Sequence, residues 1–160
     1  MEIRRILEYA LAREHMGKKF FLENAEKLQN AAAAGAFKTI AAEEQKHIEY
    51  ISALIDRMDD GASAESHELP EALFFADRAI SESIDQTVIE SMVSDLPVLR
   101  MAYLIERDFA EFYTQAAQQA EGEAKNMLEF LAKWESRHEF LFKKMHDRLF
   151  AMYSDMPWGG

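Results

Sequence analysis

Apolar residues recur every three or four positions through four long segments of the chain, and polar residues break the pattern between them. This spacing is typical of amphipathic helices. The alternation of apolar and polar residues that marks a half-buried strand is almost absent. The pattern therefore predicts an all-α protein with helices over about residues 3–28, 32–58, 96–120 and 123–152.

Each predicted helix carries its apolar residues on one face. The first stripe consists of Ile3, Ile6, Leu7, Ala10, Gly17, Phe21, Ala25 and Leu28. The other three stripes are formed by Phe37, Ile40, Ala41, Ile48, Ile51, Leu54 and Ile55, by Leu99, Tyr103, Phe109, Ala110, Tyr113 and Ala117, and by Met127, Leu131, Phe142, Met145 and Leu149. Because each apolar face has to be covered, we expect the four helices to pack around one core.

The breaks between the helices predict how they are connected. Asn30 and Gly122 mark two short turns, whereas about 35 residues, roughly 60–95, separate the second helix from the third. A tight hairpin does not need so long a connection. We expect a crossover with short helical stretches that runs back along a bundle of two antiparallel hairpins, since a separate hairpin could not cover its own stripe. One domain is predicted over residues 1–153, with an irregular tail at 154–160.

Charged residues interrupt the apolar stripes in a repeated pattern. Ala10, Glu14 and Phe20 match Ala102, Glu106 and Phe112. Each of these segments is followed by a Glu-x-x-His motif, which places its two side chains on one helix face. The candidate metal ligands are Glu14, Glu44, His47, Glu106, Glu135 and His138.

The positions of the turns bring these residues to one level. Residues equally distant from the turn of an antiparallel hairpin lie at the same height. The midpoint between Glu14 and Glu44 falls beside Asn30, and the midpoint between Glu106 and Glu135 falls beside Gly122. Four carboxylates buried together are costly unless they are protonated, paired or bound to metal. Two divalent cations would neutralise them, so the pattern predicts a site for two metal ions.

The remaining titratable residues fit this site less well. His15 points about 100° away from Glu14 around the helix and is expected at the surface. His67 and His146 are interpreted as structural or solvated. Tyr113 lies on the face of Glu106 and is a candidate to donate a hydrogen bond to a ligand carboxylate, or else a core tyrosine. Phe21 occupies the equivalent place on the first helix and cannot donate.

Composition and charge exclude several classes of function. The 160 residues carry a formal charge of −11, so no basic stripe is available for nucleic acid or an anionic membrane surface. Their lack of cysteine excludes disulfides, thiol catalysis and thiolate metal sites. No apolar run approaches the roughly 20 residues of a membrane span, and the first residues form no signal peptide. The expected location is the cytoplasm.

These motifs resemble the rubrerythrin branch of the ferritin-like superfamily, whose fold is a four-helix bundle with one long crossover. The resemblance rests on Ala10 and Glu14 with Phe20-Phe21, and on Ala102 and Glu106 with Phe112-Tyr113. It also rests on the segments 41–47 (Ala-Ala-Glu-Glu-Gln-Lys-His) and 131–138 (Leu-Ala-Lys-Trp-Glu-Ser-Arg-His).

The resemblance implies a non-haem centre of two iron ions that reacts with peroxide or dioxygen, with manganese or zinc as substitutes. Glu14, Glu44, His47, Glu106, Glu135 and His138 carry over as its ligands, and Glu44 and Glu135 as bridging carboxylates. Two features depart from rubrerythrins. The residues include no four-cysteine rubredoxin domain, so an external protein is expected to donate electrons. Phe109 stands where rubrerythrins use an additional Glu.

The leading hypothesis is therefore a di-iron oxidoreductase that reduces peroxide or dioxygen. A ferroxidase, an iron-storage subunit or an iron-delivery protein is the alternative, and a metal-free helical interaction module is a remote one. A homodimer is expected from the resemblance and from the apolar residues Leu73, Phe74 and Phe75 in the crossover, which could equally cap the core of the bundle.

Overall fold

The computed structural model describes residues 2–61 and 93–155. Four α-helices account for most of them: α1 (Ile3–Ala25), α2 (Ala31–Asp59), α3 (Asp95–Gln118) and α4 (Gly122–Ser154). The all-α prediction is confirmed, and no strand occurs within these two ranges. The crossover residues Leu73, Phe74 and Phe75, His67 and the end of the tail lie outside the described residues.

The observed helix ends lie close to the predicted ones. The largest difference is at α1, which ends at Ala25 although Leu28 continues its stripe and is buried. The chain turns there because Asn30 caps the next helix, its side chain accepting a hydrogen bond from the Ala33 N–H. Gly122, with φ of 61°, begins α4 in a backbone conformation that favours glycine.

Contacts between side chains establish the directions of the helices. Lys18 donates a hydrogen bond to Gln45, and Arg4 pairs with Asp59, so α1 and α2 are antiparallel. In the second hairpin, Arg107 pairs with Glu139 while the Lys143 ammonium lies over the ring of Tyr103. Helices α3 and α4 are therefore antiparallel as well.

The second and third helices run in the same direction, as the crossover prediction requires. Asp59, at the end of α2, lies beside the first turn of α1. Asp95, which begins α3, lies at the opposite end of the bundle, where its carboxylate accepts hydrogen bonds from the backbone N–H groups of Gln29 and Asn30. The chain from 60 to 94 thus connects opposite ends of the bundle. None of the described helices is long and apolar enough to cross a membrane.

Two apolar clusters fill the bundle, one toward each end. The first contains Leu7, Ile51, Leu128 and Leu131, together with small residues of α3 such as Ala117. The second is built around three aromatic rings, those of Phe21, Phe37 and Phe142, whose centroids lie 5.1 to 5.4 Å apart. The buried charged groups of the candidate metal site lie between these clusters.

Candidate metal centre

The structure brings the six predicted metal-binding side chains together in the middle of the bundle. Each helix contributes at least one of them, at a position where its stripe would otherwise continue with an apolar residue. The four carboxylates and two imidazoles are at most 3% exposed: Glu14, Glu44, His47, Glu106, Glu135 and His138.

These side chains form two overlapping groups, each with three carboxylates and one imidazole. The first group, which we call the His47 position, consists of Glu14, Glu44, His47 and Glu135. The second, the His138 position, consists of Glu44, Glu106, Glu135 and His138. In each group, ligand atoms from all four residues lie within 4.8 Å of one another. Glu44 and Glu135 belong to both groups, which is the arrangement expected of bridging carboxylates.

Unpartnered buried oxygens show that these residues fit metal ions. Both carboxylate oxygens of Glu44 and of Glu106, and Oε1 of Glu135, form no hydrogen bond within the described part of the chain. A buried carboxylate without partners is costly, and coordination of a cation supplies the missing interaction. Oxygen-rich donor sets with one imidazole each suit iron or manganese better than a structural zinc site.

Burial and mutual repulsion change the ionisation of the carboxylates. Burial raises the pKa of Glu44 well above its ordinary value, and Glu135 and Glu14 add to the rise. Burial, followed by repulsion from Glu135, raises the pKa of Glu106 in the same way. Burial also opposes ionisation of Glu135, but its contacts with Glu106 and His47 hold the pKa of Glu135 well below the ordinary value.

Burial acts on the pKa values of the imidazoles in the opposite sense, but the nearby carboxylates outweigh it. Burial disfavours the imidazolium form, yet the charges of Glu14 and Glu135 raise the pKa of His47 well above its ordinary value. Glu106 and Glu135 likewise raise the pKa of His138 against the effect of burial. Without metal, protons thus balance part of the negative charge, and metal binding would displace them.

Tyr113 contacts the centre at a single carboxylate. Its hydroxyl, fully buried, donates a hydrogen bond to Oε1 of Glu14. Burial, together with the charge of Glu14, raises the pKa of this hydroxyl well above its ordinary value, so it stays protonated and remains a donor. The structure therefore places Tyr113 where it can orient the carboxylate of Glu14, a candidate ligand on the other hairpin.

Glu43 and Trp134 touch the two imidazoles, and neither residue is among those predicted from the sequence. Oε2 of Glu43 lies 2.5 Å from Nε2 of His138 and accepts a hydrogen bond of 2.9 Å from the Trp134 indole N–H. Burial opposes ionisation of Glu43, but these two hydrogen bonds lower its pKa. The available signal was the position of both residues, each directly before the Glu of a Glu-x-x-His motif.

Gly17 provides the space in which Glu44 lies. A Cβ atom at this position would be 3.1 Å from Oε2 of Glu44 and 3.0 Å from the ring of Phe109. Phe109 is buried, and the Arg13 guanidinium lies over its ring, 4.5 Å from the centroid. The place where rubrerythrins use an additional Glu is thus occupied by an aromatic ring that packs beside the centre.

The other described histidines lie away from the six candidate ligands. His15 is exposed, as expected for its direction on α1. His146 is half-buried near the end of α4, where its ring packs edge-on against Tyr103 and stacks with Phe150. Neither belongs to a group of side chains that could hold a metal ion within residues 2–61 and 93–155.

The fold and the buried cluster together define a class of protein. The four helices bring six Glu and His side chains together at one buried level of the bundle. This arrangement fits a ferritin-like di-iron carboxylate protein. The family model described as Rubrerythrin matches residues 5–146, and the chain belongs to this family.

A solved structure supports the fold. A hypothetical protein from Pyrococcus furiosus superposes with a TM-score of 0.69 at 21% sequence identity, over 94% of this chain and 92% of that one. The similarity shows the fold. The curated proteins contain no match to this chain.

Proposed function

We propose that the protein is a di-iron oxidoreductase that reduces peroxide or dioxygen with electrons from an external donor protein. The observation that carries the proposal is the pair of overlapping donor groups that share Glu44 and Glu135. Two metal positions joined by common carboxylates are suited to a reaction in which both metals change oxidation state together. Membership of the rubrerythrin family supports the same chemistry.

The residues of the chain hold and orient the centre. Glu44 and Glu135 would bind both ions, whereas Glu14 with His47 and Glu106 with His138 would each complete one position. Bound iron would supply Lewis-acid activation of the oxidant and the electrons for its reduction. The Tyr113 hydroxyl holds Glu14 in place, and the apolar clusters at both ends of the bundle exclude water from the site.

Stopped-flow mixing tests the proposal. The Fe(II)-loaded protein is mixed with hydrogen peroxide or with oxygenated buffer, and oxidation is followed by absorbance. We expect oxidation much faster than that of free Fe(II), followed by renewed turnover when a chemical reductant is added. The Glu44→Ala/Glu135→Ala variant should lose the reaction, whereas Glu123→Gln should keep it because Glu123 pairs with Arg57. Oxidation no faster than that of free Fe(II) would contradict the proposal.

Phe109 favours a second candidate, an iron-handling protein that oxidises or delivers iron without repeated turnover. It stands where an additional carboxylate would assist peroxide reduction in rubrerythrins, and its ring fills that space instead. This candidate predicts a single round of oxidation and release of Fe(III), with no further peroxide consumed when reductant is added. Light scattering separates a storage cage, which is a large oligomer, from a dimer.

A further inference from the structure

The residues at 43 and 134 occupy equivalent places in the two halves of the bundle. Each directly precedes the Glu of a Glu-x-x-His motif and contacts the imidazole that the other hairpin provides. Their chemistry is different, since one is a carboxylate and the other an indole. The two imidazoles of an otherwise symmetric centre therefore have different neighbours.

Glu43 gives His138 a defined hydrogen-bond acceptor. Because an ionised carboxylate only accepts, the single proton of the neutral imidazole, the form that binds metal, would lie on Nε2, which faces Glu43. The lone pair of Nδ1 in that form would be directed into the His138 position, where this atom lies 3.1 Å from Glu135, 3.4 Å from Glu106 and 3.5 Å from Glu44. The Trp134 N–H donates to the same oxygen of Glu43 and holds this carboxylate in place.

His47 has no comparable partner. Its ring lies edge-on to the Trp134 indole at a centroid distance of 5.6 Å, and an indole offers a donor but no acceptor for a ring N–H. Nε2 of His47 is buried and forms no hydrogen bond in the described structure. Its orientation depends on Nδ1, which lies 3.0 Å from Glu135 and 3.3 Å from Glu14.

We propose that Glu43 is a positioning residue for His138, and that through it the two metal positions differ in affinity, the His138 position being the tighter. This inference rests on the proposed function only in requiring that the centre binds metal. A carboxylate on the outer nitrogen of a ligating imidazole fixes its tautomer and raises its basicity, and loss of such a partner typically weakens metal binding about 10–100-fold.

Titration of the metal-free protein with Co²⁺ alone tests the inference, with heat and the visible absorption of bound Co²⁺ as readouts. The wild type should bind two ions in distinguishable steps. Glu43→Gln should weaken the tighter step about 10–100-fold and leave the weaker step and the total of two ions unchanged. Glu123→Gln is the matched control, because Glu123 is a similarly half-buried side chain, 17% exposed against 21% for Glu43, paired with Arg57.

A double-mutant cycle assigns the effect to the imidazole. In the His47→Ala background the remaining tight site should still lose about 10–100-fold in affinity when Glu43 becomes Gln. In the His138→Ala background the same change should have no effect on the remaining site. An equal loss in both backgrounds would show a general structural role and overturn the inference.

Further outcomes separate this inference from the proposed function. Two ions bound with affinities that do not depend on Glu43 would overturn the inference and leave the metal centre intact. No Co²⁺ bound by the wild type would overturn both. If Glu43→Gln does not fold, as judged by circular dichroism, Trp134→Phe replaces it. This variant removes the N–H that holds Glu43 and should weaken the tighter step alone, so an unchanged tighter step would contradict the inference.

Discussion

Glu14 and Glu106 hold equivalent positions in the two halves of the bundle, yet their surroundings differ. Glu14 accepts a hydrogen bond from the buried Tyr113 hydroxyl. Both oxygens of Glu106 lack a hydrogen bond in the described structure, and Phe21, the counterpart of Tyr113, packs with other aromatic rings. The repeat therefore duplicates the candidate metal ligands, whereas the residues that contact them differ between the two halves.

The two imidazoles also differ in their surroundings, but here the residue of the second half has the hydrogen-bond partner. His138, which belongs with the unsupported Glu106, has the carboxylate of Glu43 as its partner. His47, which belongs with the supported Glu14, faces an indole instead. Each candidate metal position thus has one donor held by a neighbouring side chain, the carboxylate of Glu14 in the His47 position and the imidazole of His138 in the His138 position. Two similar donor sets are made chemically different by residues that would not touch the metal.

Removal of the two shared carboxylates should abolish metal binding at both the His47 position and the His138 position. We expect Glu44→Ala/Glu135→Ala to retain almost no iron after anaerobic loading with Fe(II) and desalting, where the wild type retains two ions per chain. Metal present at about 1,000 times its dissociation constant stabilises the folded state by about 4 kcal/mol, or roughly 8–16 °C in Tm for a domain of this size. The variant should show no such rise.

Elemental analysis and thermal melting with and without metal measure this effect. The matched control is Glu123→Gln, which should keep both the two ions and the metal-dependent rise in Tm. A variant that retains two irons would show that Glu44 and Glu135 are not required by both positions.

The metal-free protein should lose stability as the pH rises above about 6.5. The raised pKa values of His47 and His138 stabilise the fold below the unfolded value of about 6.5, and this contribution disappears as the pH passes the folded values. The raised pKa values of Glu44 and Glu106 act in the same direction, because burial penalises their ionisation. Each additional proton held by the folded state contributes about 1.4 kcal/mol per pH unit.

Chemical denaturation at several pH values measures this slope. The lowered pKa of Glu135 has the opposite sign, but its contribution is lost only as the pH falls below about 4.5, outside this range. Glu106→Gln should flatten the slope, since it removes one of the groups with a raised pKa. Saturation with metal should reverse the slope, because binding releases protons. A free energy of unfolding that increases with pH in the metal-free protein would contradict the raised pKa values of these buried groups.

Single amide substitutions should affect the stability of the metal-free protein with opposite signs. Glu106→Gln removes a buried carboxylate that lacks hydrogen bonds and should stabilise the fold by about 1 kcal/mol. Glu14→Gln weakens the charge-assisted bond from Tyr113 and should destabilise it by about 1–2 kcal/mol. Denaturant unfolding gives both values, and Tyr113→Phe should resemble Glu14→Gln. Equal effects of the two amide variants on the free energy of unfolding would contradict the difference in surroundings between Glu14 and Glu106.

The smallest expected effect concerns the space beside Glu44. Gly17→Ala should lower metal affinity, because its Cβ would press on the Glu44 carboxylate and on Phe109. Gly35→Ala is the control, since Gly35 lies within α2 with open space around it and should gain about 0.5–1 kcal/mol from helix propensity. The gain for Gly17→Ala should be smaller or absent. Unchanged metal titration of Gly17→Ala would show that Glu44 has room to move.

The sequence predicts the helices, and the shared level of the six candidate ligands, for physical reasons. Helical periodicity and the turns at Asn30 and Gly122 determine which residues share a level, so the spacing alone places Glu14 opposite Glu44 and Glu106 opposite Glu135. A carboxylate within an apolar stripe is a strong signal because its burial is costly. That these residues bind metal stays a prediction.

The supporting residues could not be found in this way. Glu43 lies at the edge of its stripe, where a solvated glutamate is ordinary, and only the three-dimensional approach of α4 reveals its contact with His138. Asp95 is similar, since it is buried against the turn before α2, more than sixty residues away in sequence. Contacts of this kind depend on how helices approach one another, which periodicity does not specify.

The sharing of Glu44 and Glu135 has a consequence for assembly of the chain. Each hairpin provides only part of either donor set, so neither can complete a metal position alone. With metal bound, the two hairpins would resemble the subunits of a dimer whose interface is cross-linked by the ions. Release of metal would then loosen the docking of one hairpin on the other, and exchange of the ions would depend on a partial opening of the interface between them.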